Sequence, residues 1–269
     1  MDAVFLPWIG EFGVMLLRWV RYVHWYEATE KIVCCRRGFE VFFPSATAFL
    51  YDWPDLLEDR DRVGDGDTHN ASAPLLAYGE ELKKLYPRHI HVLPHHDRGK
   101  QCGLKAFSLV PAVVRGLRTD VVLGVRSRQY KPARNWSYWE CLAKSLSSDG
   151  YSIGLVGQKG TSQDLVSATV RAWDWGDDPS ANIELLSNCR LYIGTDSGAS
   201  HLAAFCSAPS LVFQYDGDGI GHHVDKMQAI NLSYFQFLHN VWDHPDVVAE
   251  NARRFLTQHP RLLRSGSGR

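Results

Sequence analysis

The sequence predicts an α/β protein made of doubly wound parallel sheets, two of them in one chain. Three observations lead there. Short β-rich runs alternate with amphipathic helical stretches along the chain, the strands end in glycine or a polar loop, and 269 residues are enough for two domains. A 45% hydrophobic content rich in aromatics is that of a globular protein, so disorder is excluded as a general description. A formal net charge of −1 lacks the broad basic surface of a nonspecific nucleic-acid binder. No nucleic-acid partner is expected, and any bound anion would be small and held locally.

The elements follow in order. Ala3–Leu6 is an apolar strand, PWIGEFG supplies a turn, and Val14–Tyr26 carries Val14, Leu17, Val20, Tyr22 and Val23 at helical spacing. Lys31–Cys35 reads as the second strand of a β-α-β unit, and Glu40–Phe43, beyond the turn text RRG, as another β-rich run. Asp52–Ser72 is acidic and turn-rich, with Asp67, Thr68, His69 and Asn70 read as loop; Leu75–Leu85 is a helix and Ile90–Leu93 a strand. Basic, glycine-containing text from Asp97 to Arg118 is the crossover between two halves. Val121–Val125 is then a strand, and Trp136–Ser147 a helix with Trp136, Trp139, Leu142, Ala143 and Leu146 on one face. Tyr151–Val156 is a strand ending at Gly157, and Gln163–Ala172 and Ile183–Ser187 are helices. Leu191–Ile193 is a strand, Ser200–Phe205 starts a helix, Leu211–Phe213 is a strand, and Val247–Thr257 is the closing helix. The expected domains are 1–118 and 119–259, with 260–269 a flexible tail.

Six cysteines without a CxxC pair, two of them adjacent at Cys34 and Cys35, do not make a disulfide framework and suit a reducing cytoplasm. The apolar N-terminus lacks a basic leader region and is broken by Pro7, Glu11 and Arg18, so it reads as neither signal peptide nor span. A cytoplasmic protein without a transmembrane segment is expected, with peripheral contact to a membrane surface left open.

The chemistry concentrates in YIGTDSGASHL, Tyr192–Leu202. It follows an apolar strand and opens a helix, the position where open α/β sheets bind ligands. Gly198 lets the backbone approach a ligand, Ser197 and Ser200 can cap or present hydroxyls, and the N–H groups at a helix start hold phosphate. The plainer alternative is that Asp196 or Ser197 only caps the helix while His201 packs. His89, His91, His95 and His96 form a histidine-rich stretch without the ligand spacing of a metal motif, so no metal is expected. Gly217–Asp225 is a second Gly- and His-rich loop, read as a surface turn with a lid or sugar-recognition loop as the alternative. Trp173 and Trp175 are read as core or rim, with stacking on a base as the alternative.

The span NIELLSNCRLYIGTDSGASHLAAFCSAPSLVFQ resembles the C-terminal signature of the heptosyltransferase-type glycosyltransferases, family 9, at Asp196, Ser197, Gly198, His201, Leu202, Ala203, Ala204, Pro209 and Phe213. Upstream, GVRSRQYKPARNWSYWECLAKSLSSDGYSIGLVG is similar to that family's strand, basic segment and tryptophan-led helix before a strand ending in Gly157. The resemblance covers about a third of the chain. It implies a GT-B fold, two Rossmann-like domains facing a cleft, and a nucleotide-sugar donor with no cofactor or metal. It implies that the N–H groups of Ser197 and Gly198 and the His201 side chain hold the donor diphosphate and Asp196 the sugar hydroxyls, with Gly157 and Ser200 also among the donor-binding residues. Arg126, Arg128, Lys131 and Arg134 would neutralise the leaving diphosphate.

After its first strand the family carries a Gly-Asp loop whose acid deprotonates the acceptor hydroxyl. Here Gly10-Glu11 stands in that place, a departure that marks a divergent member, and Glu11 is the candidate base, with capping or salt-bridging of the helix start as the alternative. The implied activity is an inverting, metal-independent transfer of a sugar to a glycan, lipid-linked or small-molecule hydroxyl. Two alternatives stay open: epimerisation or hydrolysis of a nucleotide sugar, and a catalytically silent nucleotide- or glycan-binding scaffold.

Overall fold

The computed structural model describes residues 1–52, 73–95, 107–127, 135–176, 178–213, 230, 242 and 244–259, and the backbone of 235–238. The chain divides into two compact units, Met1–Lys105 and Ala106–Arg269.

The first unit is built on four parallel strands, β1 (Asp2–Phe5), β2 (Glu30–Cys34), β3 (Ala48–Leu50) and β4 (Ile90–Val92), in the order β3-β2-β1-β4. The helix after β1 runs from α1 (Phe12–Val14) through a π-helical stretch, Met15–Val20, into α2 (Arg21–Trp25). All six residues of the π-helical stretch are buried, which follows from its near-continuous apolar text. Lys31 Nζ closes the C-terminal end of this helix by donating to the carbonyls of Val23 and His24, both at 2.9 Å. α3 (Ala73–Leu85) turns Leu75, Tyr78 and Leu82 onto Val4, Leu6, Ile9 and Ile32.

The second unit carries six parallel strands: β5 (Val121–Gly124), β6 (Ile153–Val156), β7 (Val170–Arg171), β8 (Leu191–Thr195), β9 (Ser210–Phe213) and β10 (Phe235–Leu238). Their order is β10-β9-β8-β5-β6-β7. Every residue of β5, β6, β8 and β9 is buried, as expected for strands covered on both faces. α4 (Trp139–Ser148) sends Trp139, Leu142, Ala143 and Leu146 inward, and α7 (Pro245–Gln258) sends Val248, Ala249, Ala252 and Leu256 into the same core. Trp136 sits at the centre, edge-on to Trp139 and Phe213 at 4.8 Å each, with its indole N–H donated to the Trp242 carbonyl. α5 (Pro179–Asn188) and α6 (Gly198–Phe205) complete the described α-helices of this unit, and a 3-10 turn, Ala172–Trp175, follows β7.

Two sequence expectations are corrected. Glu40–Phe43 is not a strand: after Gly38, at φ +88°, the chain forms a 3-10 turn over Phe39–Phe42. Phe12, Phe39 and Phe42 then meet edge to face at 5.2–6.1 Å, so the aromatic run serves a cluster rather than a ladder. Gln163–Ala172 is not a helix either. The Glu140 carboxylate accepts from Val166 N at 2.9 Å and Ser167 Oγ at 2.8 Å, holding the segment as turns until β7.

The described cysteines are free thiols. Among the described residues no helix is long and apolar enough to cross a membrane.

In both units the chain builds outward from the first strand and then crosses to its other flank. The order therefore reverses between β1 and β4 and between β5 and β8. The carboxyl ends of those strand pairs are the topological switch points, where loops diverge and leave a crevice for a ligand.

Candidate functional site

At the switch point of the second unit, β8 ends at Thr195 and turns through Asp196 and Ser197 into α6. Asp196 N–H donates to the Phe213 carbonyl at 3.1 Å, tying the turn to the end of β9. Ser197 is extended at the N-cap, and its N–H donates to Ser200 Oγ at 3.0 Å while that hydroxyl donates to Ser197 O at 2.7 Å. Ser200 is fully buried, so its hydroxyl builds the turn from beneath. Of the N–H groups that open the helix, Gly198 and Ala199 lie ahead of any intrahelical acceptor, and both residues are half-buried. His201 is 5% exposed, with Nε2 3.4 Å from Asp196 Oδ1, an electrostatic contact longer than a short hydrogen bond. A glycine in the first helical position, helix-start donors and an acid–histidine pair thus converge on one half-buried turn. This arrangement suits an anionic group flanked by hydroxyls.

The turn rests on Tyr192, a residue that sequence reasoning passed over. Its side chain lies over two glycines: a Cβ on Gly124 would fall 2.2 Å from its hydroxyl, and one on Gly194 2.1 Å. The hydroxyl approaches the Ser197 side chain. Burial, with the neighbouring Asp196 carboxylate, pushes the phenol well above the usual tyrosine range, so it stays neutral. The signal in the text was the pair of glycines at the ends of adjacent strands, register partners across β5 and β8.

Arg126 stands two residues beyond β5, on the other side of the same switch point. It is 9% exposed, and its Nε finds no partner among the described residues. A buried guanidinium edge without an acceptor favours an anion. The backbone around it is pinned to the loop after β6, with Ser127 N–H on the Thr161 carbonyl at 2.9 Å and Gln163 N–H on the Val125 carbonyl at 3.1 Å. Gly157 ends β6 at φ +138°, and Ser162 Oγ occupies the space of a would-be Cβ at 2.1 Å, so only glycine fits. Its N–H donates to Asn182 Oδ1 at 2.8 Å, a helix contact that spacing alone did not reveal. Arg128, Lys131 and Arg134 lie outside the described residues, as do Gly217–Asp225 and Asp67–Asn70.

Glu11 belongs to the first unit, at the equivalent switch point between β1 and β4. Gly10, at φ +144°, precedes the helix in the loop after β1, and Glu11 is the N-cap of α1, accepting Met15 N–H on its backbone carbonyl at 2.9 Å. Its side chain makes no capping hydrogen bond and is half-buried.

A scan against protein-family models and a search of curated proteins give no match. Solved structures do match over nearly the whole chain. E. coli ADP-heptose lps heptosyltransferase II aligns at TM-score 0.60 and 13% identity, covering 96% of this chain and 100% of that one. A glycosyl transferase family 9 protein from Veillonella parvula aligns at 0.59 and 8% identity, covering 96% and 97%. E. coli heptosyltransferase WaaC with ADP aligns at 0.54 and 10% identity, covering 97% and 100%. At such identities the likeness speaks for architecture alone. The chain thus has the two-unit α/β fold, GT-B in type, of the heptosyltransferase-like glycosyltransferases of family 9.

Proposed function

We propose that this chain is a glycosyltransferase of the heptosyltransferase type, moving a sugar from a nucleoside diphosphate donor to a hydroxyl of a glycan, a lipid-linked sugar or a small acceptor. The observation that carries this is the turn Asp196–His201 beside Arg126 at the switch point of the second unit, in a fold shared with family 9. The N–H groups of Gly198 and Ala199 receive the donor diphosphate with His201 beside them. Ser197 and Ser200 shape that cradle, and Asp196 accepts from sugar hydroxyls. Arg126, with Arg128, Lys131 and Arg134, stabilises the negative charge that grows on the departing diphosphate. Charge neutralisation by arginine and helix-start dipoles supplies what a metal would supply elsewhere, so the transfer proceeds without one. Glu11 takes the proton of the acceptor hydroxyl as it attacks the anomeric carbon from the face opposite the leaving group, which inverts the configuration. The reaction takes place in the cytoplasm, the compartment of free nucleotide sugars.

The test is a nucleotide panel that begins with ADP, the nucleotide bound in the WaaC structure. Thermal stabilisation by a nucleoside diphosphate, lost in Asp196→Asn and His201→Ala, is expected, together with donor turnover that persists in EDTA. Stabilisation by no nucleotide removes the donor site. Donor consumed without any acceptor favours the hydrolase or epimerase reading, and binding without turnover favours the silent scaffold.

A further inference from the structure

The amino ends of the first unit's strands hold a cluster that the chemistry at their carboxyl ends does not use. Asp2 opens β1 and Glu30 opens β2, and the two are register partners in the parallel pair. Partners in neighbouring strands send their side chains to one face about 4.8 Å apart, so two carboxylates stand side by side, an unfavourable pairing of like charges. On the other flank of β1, Ala3 pairs with Ile90, which sets His89, one residue earlier, level with Asp2. His89 Nε2 lies 3.0 Å from Glu30 Oε2, so the imidazole meets the carboxylate of a strand two places away. One ligand atom from each of Asp2, Glu30 and His89 lies within 4.8 Å of the others, and all three residues are half-buried.

An imidazolium would offset one of the two negative charges and leave the other facing it. A divalent ion offsets both and takes the imidazole as a neutral ligand. One nitrogen with two carboxylate oxygens is a donor set for first-row transition ions; Ca²⁺ and Mg²⁺ prefer shells of oxygen alone. Spacing along the chain hid the cluster, because the carboxylates that complete the His89 site come from strands 59 residues and more before it.

We infer that Asp2, Glu30 and His89 bind a divalent first-row transition ion, Zn²⁺ foremost, which ties together the amino ends of β2, β1 and β4. Water completes its coordination. The ion stabilises the first unit by mass action, since the unfolded chain does not hold the three ligands together. It sits at the end of the sheet away from Glu11, so it is structural and the proposed transfer does not run through it.

The experiment titrates the chelator-treated full chain with Zn²⁺, Mn²⁺ and Ca²⁺ in turn, by calorimetry and thermal unfolding. One Zn²⁺ site per chain that raises the unfolding temperature is expected, with Mn²⁺ weaker and Ca²⁺ without effect. Asp2→Asn, Glu30→Gln and His89→Gln each weaken Zn²⁺ binding by more than about tenfold. His95→Gln, beyond the carboxyl end of β4, binds as the unaltered chain does. No Zn²⁺ binding by the unaltered chain, or unaltered affinity in the three variants, overturns the site and leaves an ordinary His89–Glu30 ion pair. Should a variant fail to fold, Co²⁺ in the unaltered chain decides between the same outcomes: paramagnetic broadening of the His89 imidazole resonances supports the site, and its absence sinks it.

Discussion

The Tyr192 ring occupies the space that a side chain at Gly194 would need, with the phenolic oxygen 2.1 Å from the position of a Cβ there. Two residues further on, the same strand delivers Asp196, so the tyrosine sets the floor under the turn Asp196–His201. Gly194→Ala is expected to destabilise the second unit by about 2–3 kcal/mol, the cost of overpacking a closed interior. Urea unfolding measures it. Combined with Tyr192→Leu, the alanine costs less than the two changes summed, because the collision is gone. Strict additivity would mean the ring is not what excludes the side chain.

Glu11→Gln keeps the shape of the turn but cannot accept a proton. Its kcat for transfer should fall by about 10²- to 10⁴-fold, while nucleotide-induced stabilisation persists. Glu11→Asp, the residue family 9 carries there, retains measurable turnover. Full activity in the glutamine variant would show that another group acts as base.

The Glu184 carboxylate is fully buried and accepts from the N–H groups of Arg115, Gly116 and Leu117 at 2.7–3.1 Å. It anchors the segment that leads into β5. Glu184→Gln places an N–H₂ group where one of these acceptors stood, and a loss on the order of 2–3 kcal/mol in denaturant unfolding is expected. A loss below a few tenths would mean that the segment is held by its apolar contacts alone.

Asp120 carries a pH dependence. Its partial burial works to raise the pKa, but hydrogen bonds from Ser152 N and Oγ at 3.0 and 2.7 Å and from Arg190 at 3.2 Å outweigh it and hold the group below its usual 3.8. A depressed pKa contributes stability that is complete above the unfolded value and disappears as pH falls through the folded one. Urea midpoints should therefore fall below about pH 4, and Asp120→Asn should flatten that fall while lowering the midpoint at neutral pH. An unchanged acid limb in the variant would assign the effect to other carboxylates, Asp178 with its Ser180 and Arg115 partners first among them.

Much of the fold was legible because buried parallel strands write themselves as unbroken apolar runs: Val121–Gly124 and Leu191–Thr195 were found within two residues of their ends. The short edge strands Ala48–Leu50 and Val170–Arg171 were missed, since two or three residues carry no period and exist only through a neighbour's ladder. Phe39–Phe42 and Gln163–Ala172 misled for a related reason. Their local preferences were overruled by the Phe12 ring in one case and the Glu140 carboxylate in the other, partners that lie more than twenty residues away.

By itself the sequence determined the alternation of strand and helix, the strand–turn–helix position of Asp196–His201, and the acid beyond the first strand, because each of these rests on residue types close together in the chain. The tertiary structure alone decided which strands are neighbours, and with that the two switch points, the packing of Tyr192 onto two glycines, and the meeting of Asp2, Glu30 and His89. Strand order is settled by which buried faces and ladders fit together across long separations, and no local pattern encodes it.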